Sequence, residues 1–357
     1  MTTEPSGTPM PPRGRGAGCN PPNRFETLRI EADPTAHPDD DAPRHPTVYL
    51  RDDTQSVLSP NDADDLSFDY GLNPYRGCEH GCAYCYARIY HEYLGFSAGI
   101  DFEAKILVKQ DAPALLEREL ARPRYRPGVI SLSGVTDCYQ PVERRLRITR
   151  GCLELLARFR NPVVVITKNA LVARDVDVLA DLAHHGAAAA YLSITTLDPD
   201  LARILEPRAS SPRARLAAIR TLADAGIPTG VSAAPMIPGL NDSELPSILA
   251  RAADHGASFA SYSLVRLPGA VADVFAGWLD AHRPMAKEKI LNRIRATHDG
   301  RLNSAAAVAR MRGSGEAAAA WKALFAATCR RLGLAQGTPK LGCGMFRRVM
   351  PGQDELF

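Results

Sequence analysis

The sequence predicts an α/β fold in which strands and helices alternate. Short apolar runs of strand length recur six times from about residue 67, each followed by a stretch of helical pattern. The runs are continuously apolar, as strands buried on both faces of a parallel sheet are. Gly186, Gly226 and Gly256 close helical stretches where a left-handed C-cap is needed. Six strand–helix units in series imply parallel strands joined by right-handed crossovers. A closed or partly closed barrel and an open doubly wound sheet both fit that count.

The elements follow in order. Residues 1–66 are rich in Pro, Gly, Asp and Thr and read as a largely disordered leader. Within it, Arg13 to Glu26 (RGRGAGCNPPNRFE) gathers Arg, Gly and Asn before an aromatic, a composition suited to packing on the core or touching a phosphate. SFDYGLNPY (67–75) is the first strand region. FEAKILVK (102–109), followed by APALLEREL, reads as an additional strand and helix between the first two units. GVISLSG (128–134), VVVITK (163–168), AAAAYLSITT (187–196), TGVSAAP (229–235) and FASYSLVRL (259–267) are the five further strands, each trailed by its helix. The repeating core therefore spans 67–283, with a helical extension over 284–335 and a tail over 336–357.

Composition bounds the function. The chain has 357 residues, 45% of them hydrophobic, ample for a large core. No apolar run approaches the roughly 18 residues of a membrane span, the N-terminus lacks an apolar signal region, and the protein reads as cytoplasmic. Eight cysteines in this length are too sparse for a disulfide scaffold. Residues 1–66 carry 12 acidic and 6 basic side chains, whereas 301–350 carry 9 basic and 1 acidic. The basic C-terminal region is compatible with a phosphate-bearing partner; a solvated helix surface gives the same balance.

The chemistry lies in Asn73 to Arg88, NPYRGCEHGCAYCYAR. Cys78, Cys82 and Cys85 have CxxxCxxC spacing with no fourth cysteine close by. Such a soft site favours zinc, copper(I) or an iron–sulfur cluster. Three thiolates leave one iron of a [4Fe–4S] cube open, and an open position marks chemistry where a closed one marks structure. Zinc would need a fourth ligand, and His80, between Cys78 and Cys82, is poorly placed for it. Polar residues cluster at the C-terminal ends of the strand runs: Ser133, Thr136 and Asp137; Thr167 and Lys168; Ser193, Thr195 and Thr196. That edge carries function in parallel α/β folds, so these groups and the cysteines should meet at one mouth.

CxxxCxxC with Tyr84 before its last cysteine resembles the radical SAM superfamily. SGVTDCYQPVER (133–144), ITKNALVARDVDVL (166–179), SITTLDPDLARILEPRA (193–209), GIPTGVSAAPMIPGLND (226–242) and LVRLPGAVADVF (264–275) are similar to its DNA repair photolyase-like branch, related to spore photoproduct lyase. The resemblance runs from about residue 13 to 335 and is closest to a bacterial group with the RGRGA…NPPNRFE leader. It implies a partial (β/α)6 TIM-like barrel, a [4Fe–4S] cluster on Cys78, Cys82 and Cys85, and S-adenosylmethionine (SAM) chelated at the open iron. It further implies reductive cleavage of SAM to a 5′-deoxyadenosyl radical, with an electron donor such as a flavodoxin or ferredoxin. Tyr84 would lie by the adenine. Ser133, Thr136 and Asp137 stand where many relatives place Gly-Gly-Glu for the SAM amino group. Lys168 would pair with the SAM carboxylate, and Ser193 and Thr195 would bond ribose or carboxylate oxygens. Glu206 and Arg208 would pair with each other or reach the cofactor. Cys138 does not stand where the lyase's hydrogen-donating cysteine does and reads as a buried thiol.

The resemblance leaves the substrate open, with a nucleic-acid lesion as the candidate it suggests. The alternatives are a radical SAM maturase or RNA-modifying enzyme, and a non-catalytic zinc or iron–sulfur nucleic-acid-binding protein. Cys152 and Cys329 sit in helical patterns and are expected in the core, and Cys343 would approach the site only on a tail that folds back. The terminal QDELF resembles the short peptide by which repair proteins dock to the DNA sliding clamp.

Overall fold

The computed structural model of the chain describes residues 10–25, 46–63, 65–304 and 306–349. Its strands are β1 (Val48–Arg51), β2 (Leu58–Pro60), β3 (Tyr70–Leu72), β4 (Tyr75–Arg76), β5 (Lys105–Val108), β6 (Ile130–Leu132), β7 (Val163–Thr167), β8 (Ala188–Ser193), β9 (Thr229–Met236), β10 (Phe259–Leu264) and β11 (Ala335–Gln336). The main sheet has the order β11-β10-β9-β8-β7-β6-β3-β2. From β3 to β11 every pairing is parallel, and only β2 runs antiparallel to its neighbour β3. The six strands β3, β6, β7, β8, β9 and β10 lie side by side in chain order, the arrangement of a partial (β/α)6 barrel. The ladder ends at β2 and β11.

The crossovers are the predicted helices. Ile148–Phe159 follows β6, Val176–His184 follows β7, Pro212–Asp224 follows β8, Leu245–Asp254 follows β9 and Val271–His282 follows β10. Gly186, Gly226 and Gly256 end three of them with φ of 64°, 75° and 95°, the left-handed caps expected. One face of the sheet packs on the helices through Val163, Val165, Ala188, Ala190, Leu192, Leu156, Leu182 and Ile219. The other face carries Val164, Ala189, Tyr191 and Phe259 inside the barrel. Every residue of β8 is buried, which is why its sequence shows no polar alternation.

The 102–109 segment differs from expectation. Ile100–Ala104 is helical and only Lys105–Val108 is strand. Strand alternation is confined to Ile106 and Val108, which are buried, while Phe102 and Glu103 turn inward on the helical turn. Strand β5 joins a separate three-stranded sheet of order β1-β5-β4. Because β4 ends two residues before Cys78, this small sheet carries the cysteine loop.

Both chain ends pack on the barrel where they are described. Ala17 is fully buried and Arg15 nearly so. After β11 the tail runs back across the N-terminal ends of the strands. The Gly342 N–H donates to the Gly186 carbonyl (3.2 Å) and the Arg347 N–H to that of Phe159 (2.9 Å). Leu341 packs on the interior cluster of Val164, Tyr191 and Phe259. Cys343 therefore lies at the end of the sheet opposite the cysteine loop. Cys138, Cys152 and Cys329 are fully buried. QDELF lies outside the described residues.

Candidate metal centre

Cys78, Cys82 and Cys85 follow β4 on a loop that enters the 3-10 turn Tyr86–Arg88 and the short helix Ile89–Glu92. All three are free thiols, two buried and Cys85 half-buried. Burial is the main force pushing each thiol's pKa up; Asp137 adds to it at Cys78 and Glu206 at Cys82. Thiolates held in such a place call for a cationic centre, which favours their charged form. Among the described residues no three His, Cys, Asp or Glu side chains converge as a single ion would require. Three thiolates are one ligand short of a closed tetrahedral zinc site, whereas a cluster offers each sulfur its own iron. The donor set therefore fits a cluster.

The loop's shape is imposed from behind. Arg88, fully buried, donates to the Cys82 carbonyl from Nε (3.1 Å) and Nη2 (2.8 Å), and from Nη1 to the carbonyls of Ala98 (3.1 Å) and Gly99 (2.9 Å). It also forms an ion pair with Glu103, itself fully buried, and lies 5.3 Å from the Phe102 ring centroid. The leader completes this base. The Gly16 and Ala17 N–H groups donate to the two Glu103 carboxylate oxygens at 3.0 and 2.9 Å, and Arg15 Nη1 donates to the Glu103 carbonyl at 2.6 Å. Gly16 lies so close that a Cβ there would sit 1.8 Å from the Gly81 carbonyl oxygen.

The sides of the loop are held as well. Glu79 accepts from the Val142 N–H (2.8 Å) and the Tyr49 hydroxyl (3.0 Å), and its own N–H donates to Gln140 Oε1 (2.9 Å). His80, nearly fully buried, places Nδ1 3.3 Å from Asp137 Oδ2 and Nε2 3.1 Å from Asn169 Nδ2. Asp137 also accepts from the Thr167 hydroxyl (2.6 Å), the Tyr139 N–H (2.9 Å) and the Lys168 N–H (2.8 Å). Burial alone would raise its pKa, yet His80 and these donors hold it down to about 2.

Tyr84 is locked from the opposite wall. Its hydroxyl donates to Glu206 and lies 3.2 Å from Thr195 Oγ1, which itself donates to Glu206 at 2.6 Å. Arg215, buried, pairs with Glu206 and donates to the Ser193 carbonyl at 2.9 Å. Burial would raise the Glu206 pKa, but Arg215 and Lys168 hold it at about 2. The Lys168 ammonium lies 5.8 Å from the Tyr84 ring centroid, on the side of Cys82.

The sequence-derived residues thus meet at one mouth, though not all in the same condition. Lys168 reaches into it, and Tyr84 forms its wall. The Thr195 hydroxyl and the Asp137 carboxylate are engaged by protein groups. Ser133, at φ 84°, accepts the Cys138 N–H on its hydroxyl at 3.0 Å, and the Thr136 hydroxyl donates to the Tyr75 carbonyl at 3.3 Å. Glu206 and Arg208 do not pair; Glu206 takes Arg215, while Arg208 reaches Glu79 (3.4 Å) and the Thr47 hydroxyl (3.1 Å). Glu103 and Arg215 have no motif of their own, and Arg88 closes the cysteine motif without a role that its spacing shows. The RGRGA cluster was the sole sequence signal for this base.

The sequence profile of the radical SAM superfamily matches residues 72–252, half of the chain. The chain belongs to the radical SAM superfamily. Members of that superfamily bind a [4Fe–4S] cluster and SAM. An uncharacterised protein of Mycobacterium tuberculosis (strain H37Rv) is 37% identical over 221 residues, 61% of this chain and 65% of its own length. An uncharacterised protein of Methanocaldococcus jannaschii is 30% identical over 175 residues, 49% of this chain and 63% of its own. The matched stretch thus spans just under two thirds of these relatives' own length. The fold is shared with spore photoproduct lyase. A mutant of that protein with bound AdoMet and dinucleoside spore photoproduct superposes with a TM-score of 0.58 at 18% identity, covering 81% of each chain. Among the described residues no helix is long and apolar enough to cross a membrane.

Proposed function

We propose that Cys78, Cys82 and Cys85 hold the [4Fe–4S] cluster and that this radical SAM protein cleaves SAM to act on a nucleic-acid lesion. The carrying observation is the loop itself: three free thiols in CxxxCxxC spacing, held at the C-terminal edge of six parallel strands. When bound there, the cluster would supply the electron for reductive cleavage of SAM to methionine and a 5′-deoxyadenosyl radical, the species that abstracts hydrogen in this chemistry. The chain's own residues orient and exclude water. Lys168, its ammonium 5.8 Å from the Tyr84 ring centroid, would pair with the SAM carboxylate. Tyr84, its hydroxyl held by Glu206 and Thr195, presents a fixed ring to the adenine. Ser193 and Thr195 would bond ribose or carboxylate oxygens and the turn Ser133–Asp137 would receive the amino group, with Asp137 acting chiefly by fixing His80 and the start of the Lys168 segment. The core that does this is 67–283; 284–335 and the tail brace it.

The lesion reading is supported by the fold shared with spore photoproduct lyase and by the branch motifs. A flavodoxin or ferredoxin supplies the electron in this reading. Anaerobic protein reconstituted with iron and sulfide, given dithionite and SAM, should yield 5′-deoxyadenosine and methionine, and Cys82→Ala should lose both iron and product. Stoichiometric zinc in the native protein with no product would replace this reading by the non-catalytic one. Deuterium transfer from labelled lesion DNA, against labelled tRNA or protein, separates the repair reading from modification or maturation.

A further inference from the structure

Beside the cysteine loop three large rings face solvent. Phe25 is 54% exposed, Tyr90 46% and Tyr93 64%. They form one group: the Phe25 and Tyr93 centroids are 4.8 Å apart, and Tyr93 and Tyr90 stack at 6.5 Å with planes 28° apart. The Arg24 guanidinium lies 4.7 Å from the Phe25 centroid and 5.4 Å from that of Tyr93. The row continues toward the mouth. Arg310 is within electrostatic reach of both Tyr90 and Tyr86. Arg266 lies 4.1 Å over the Tyr86 ring, and the Tyr86 hydroxyl donates to the Gly134 carbonyl. Tyr86 is the neighbour of Cys85. Rings and guanidiniums therefore alternate from the outer rim to the edge of the proposed cluster site.

A single exposed ring needs no explanation, but a contiguous row of rings marks a binding surface. Two carboxylates beside it are paired with its own guanidiniums. Glu92, buried, lies 3.3 Å from Arg24, and Asp65 pairs with Arg310. Arg266, stacked on Tyr86, is then the innermost cation of the row. Residues 301–350, which supply Arg310, are strongly basic. Flat rings offer stacking to any unpaired base, and guanidiniums offer both stacking and phosphate contacts. A duplex hides its base faces, so the matching polyanion is single-stranded.

We propose that Phe25, Tyr90, Tyr93 and Tyr86, with Arg24 and Arg266, form a stacking platform that leads single-stranded nucleic acid to the mouth. The platform rests on the radical SAM reading of that mouth and gives it a substrate class. The test is fluorescence anisotropy of the full-length protein with a labelled single-stranded DNA of roughly 12 nucleotides, across a salt series. The unaltered protein should bind it more tightly than the same sequence as a duplex. Replacing Phe25, Tyr90 and Tyr93 together by Ala should raise Kd by about 10-fold or more, the loss expected for stacking. The slope of log Kd against log salt should stay unchanged, because rings release no counterions. Arg266→Ala should lower that slope. If the triple variant fails to fold, by circular dichroism, Tyr93→Ala alone is read, with a smaller rise expected.

Equal affinity of variant and unaltered protein, or no single-strand binding at all, overturns the platform. So does a variant that changes sedimentation rather than DNA affinity, since the surface is then an interface between copies. SAM cleavage by the unaltered protein is assayed separately. Cleavage without DNA binding sinks the platform and leaves the radical SAM reading standing; DNA binding without cleavage does the reverse.

Discussion

Gly16 shows how a leader residue governs a centre some 60 positions away in sequence. Its missing side chain is what lets the leader lie on the Gly81 carbonyl. Gly16→Ala forces that contact apart, and overpacking of this kind costs about 1–3 kcal/mol. The expected result is a lower urea midpoint together with faster loss of iron to a chelator; Gly344→Ala, in open space, is the control. Retention of iron at the unaltered rate would separate the leader from the loop. Glu103 makes a second case. Glu103→Gln keeps the shape but leaves Arg88 as a buried, unpaired cation, a change worth about 3–5 kcal/mol in stability. A loss below about 1 kcal/mol by chemical denaturation would mean that the carbonyls of Cys82, Ala98 and Gly99 suffice for the guanidinium.

The helix Ile89–Glu92 is too short to be stable alone and is held by what it buries. His91 is the main such group, packed against Phe96 and Phe102, and burial lowers its pKa from 6.5 to about 4. The folded chain therefore keeps it neutral between those values while the unfolded chain takes up a proton. Its contribution is intact above pH 6.5 and is lost as pH falls toward 4, at up to about 1.4 kcal/mol per unit and about 3 kcal/mol in all. His91→Phe should flatten the fall of unfolding free energy between pH 6.5 and 4 relative to the unaltered protein. Parallel curves for the two would show that His91 titrates normally. The helix also presents Tyr90 on its outer side, so one short element serves both the packing of the loop and the aromatic row.

At the scale of the molecule the two ends of the barrel have separate tasks. The C-terminal edge gathers the cysteines, Lys168 and Tyr84. The opposite edge is crossed by the tail, where Phe346 lies 5.8 Å from Tyr125 and 6.2 Å from Phe159 by ring centroids. Phe346→Ala should lower thermal stability by an amount on the order of 1–2 kcal/mol, since the ring is half-buried and makes two aromatic contacts. SAM cleavage per bound cluster should be unaltered at low temperature. A fall in cleavage with an intact cluster would mean that the two ends are coupled.

The repeating apolar runs, the capping glycines and the CxxxCxxC spacing were local signals, and each survives in the structure because it depends on near neighbours in the chain. The six parallel strands, their helices and the mouth that joins Cys82, Tyr84, Lys168 and Thr195 were legible for that reason. The partners were not. Glu206 was read beside Arg208, two residues on, yet it binds Arg215 across a turn; Glu103 closes on Arg88 and on the leader, 86 and 87 positions back. Periodicity places an element and the face it buries. Which buried charge finds which counter-charge depends on how elements cross, because desolvation makes the pairing obligatory without saying, from the sequence, where the partner will be.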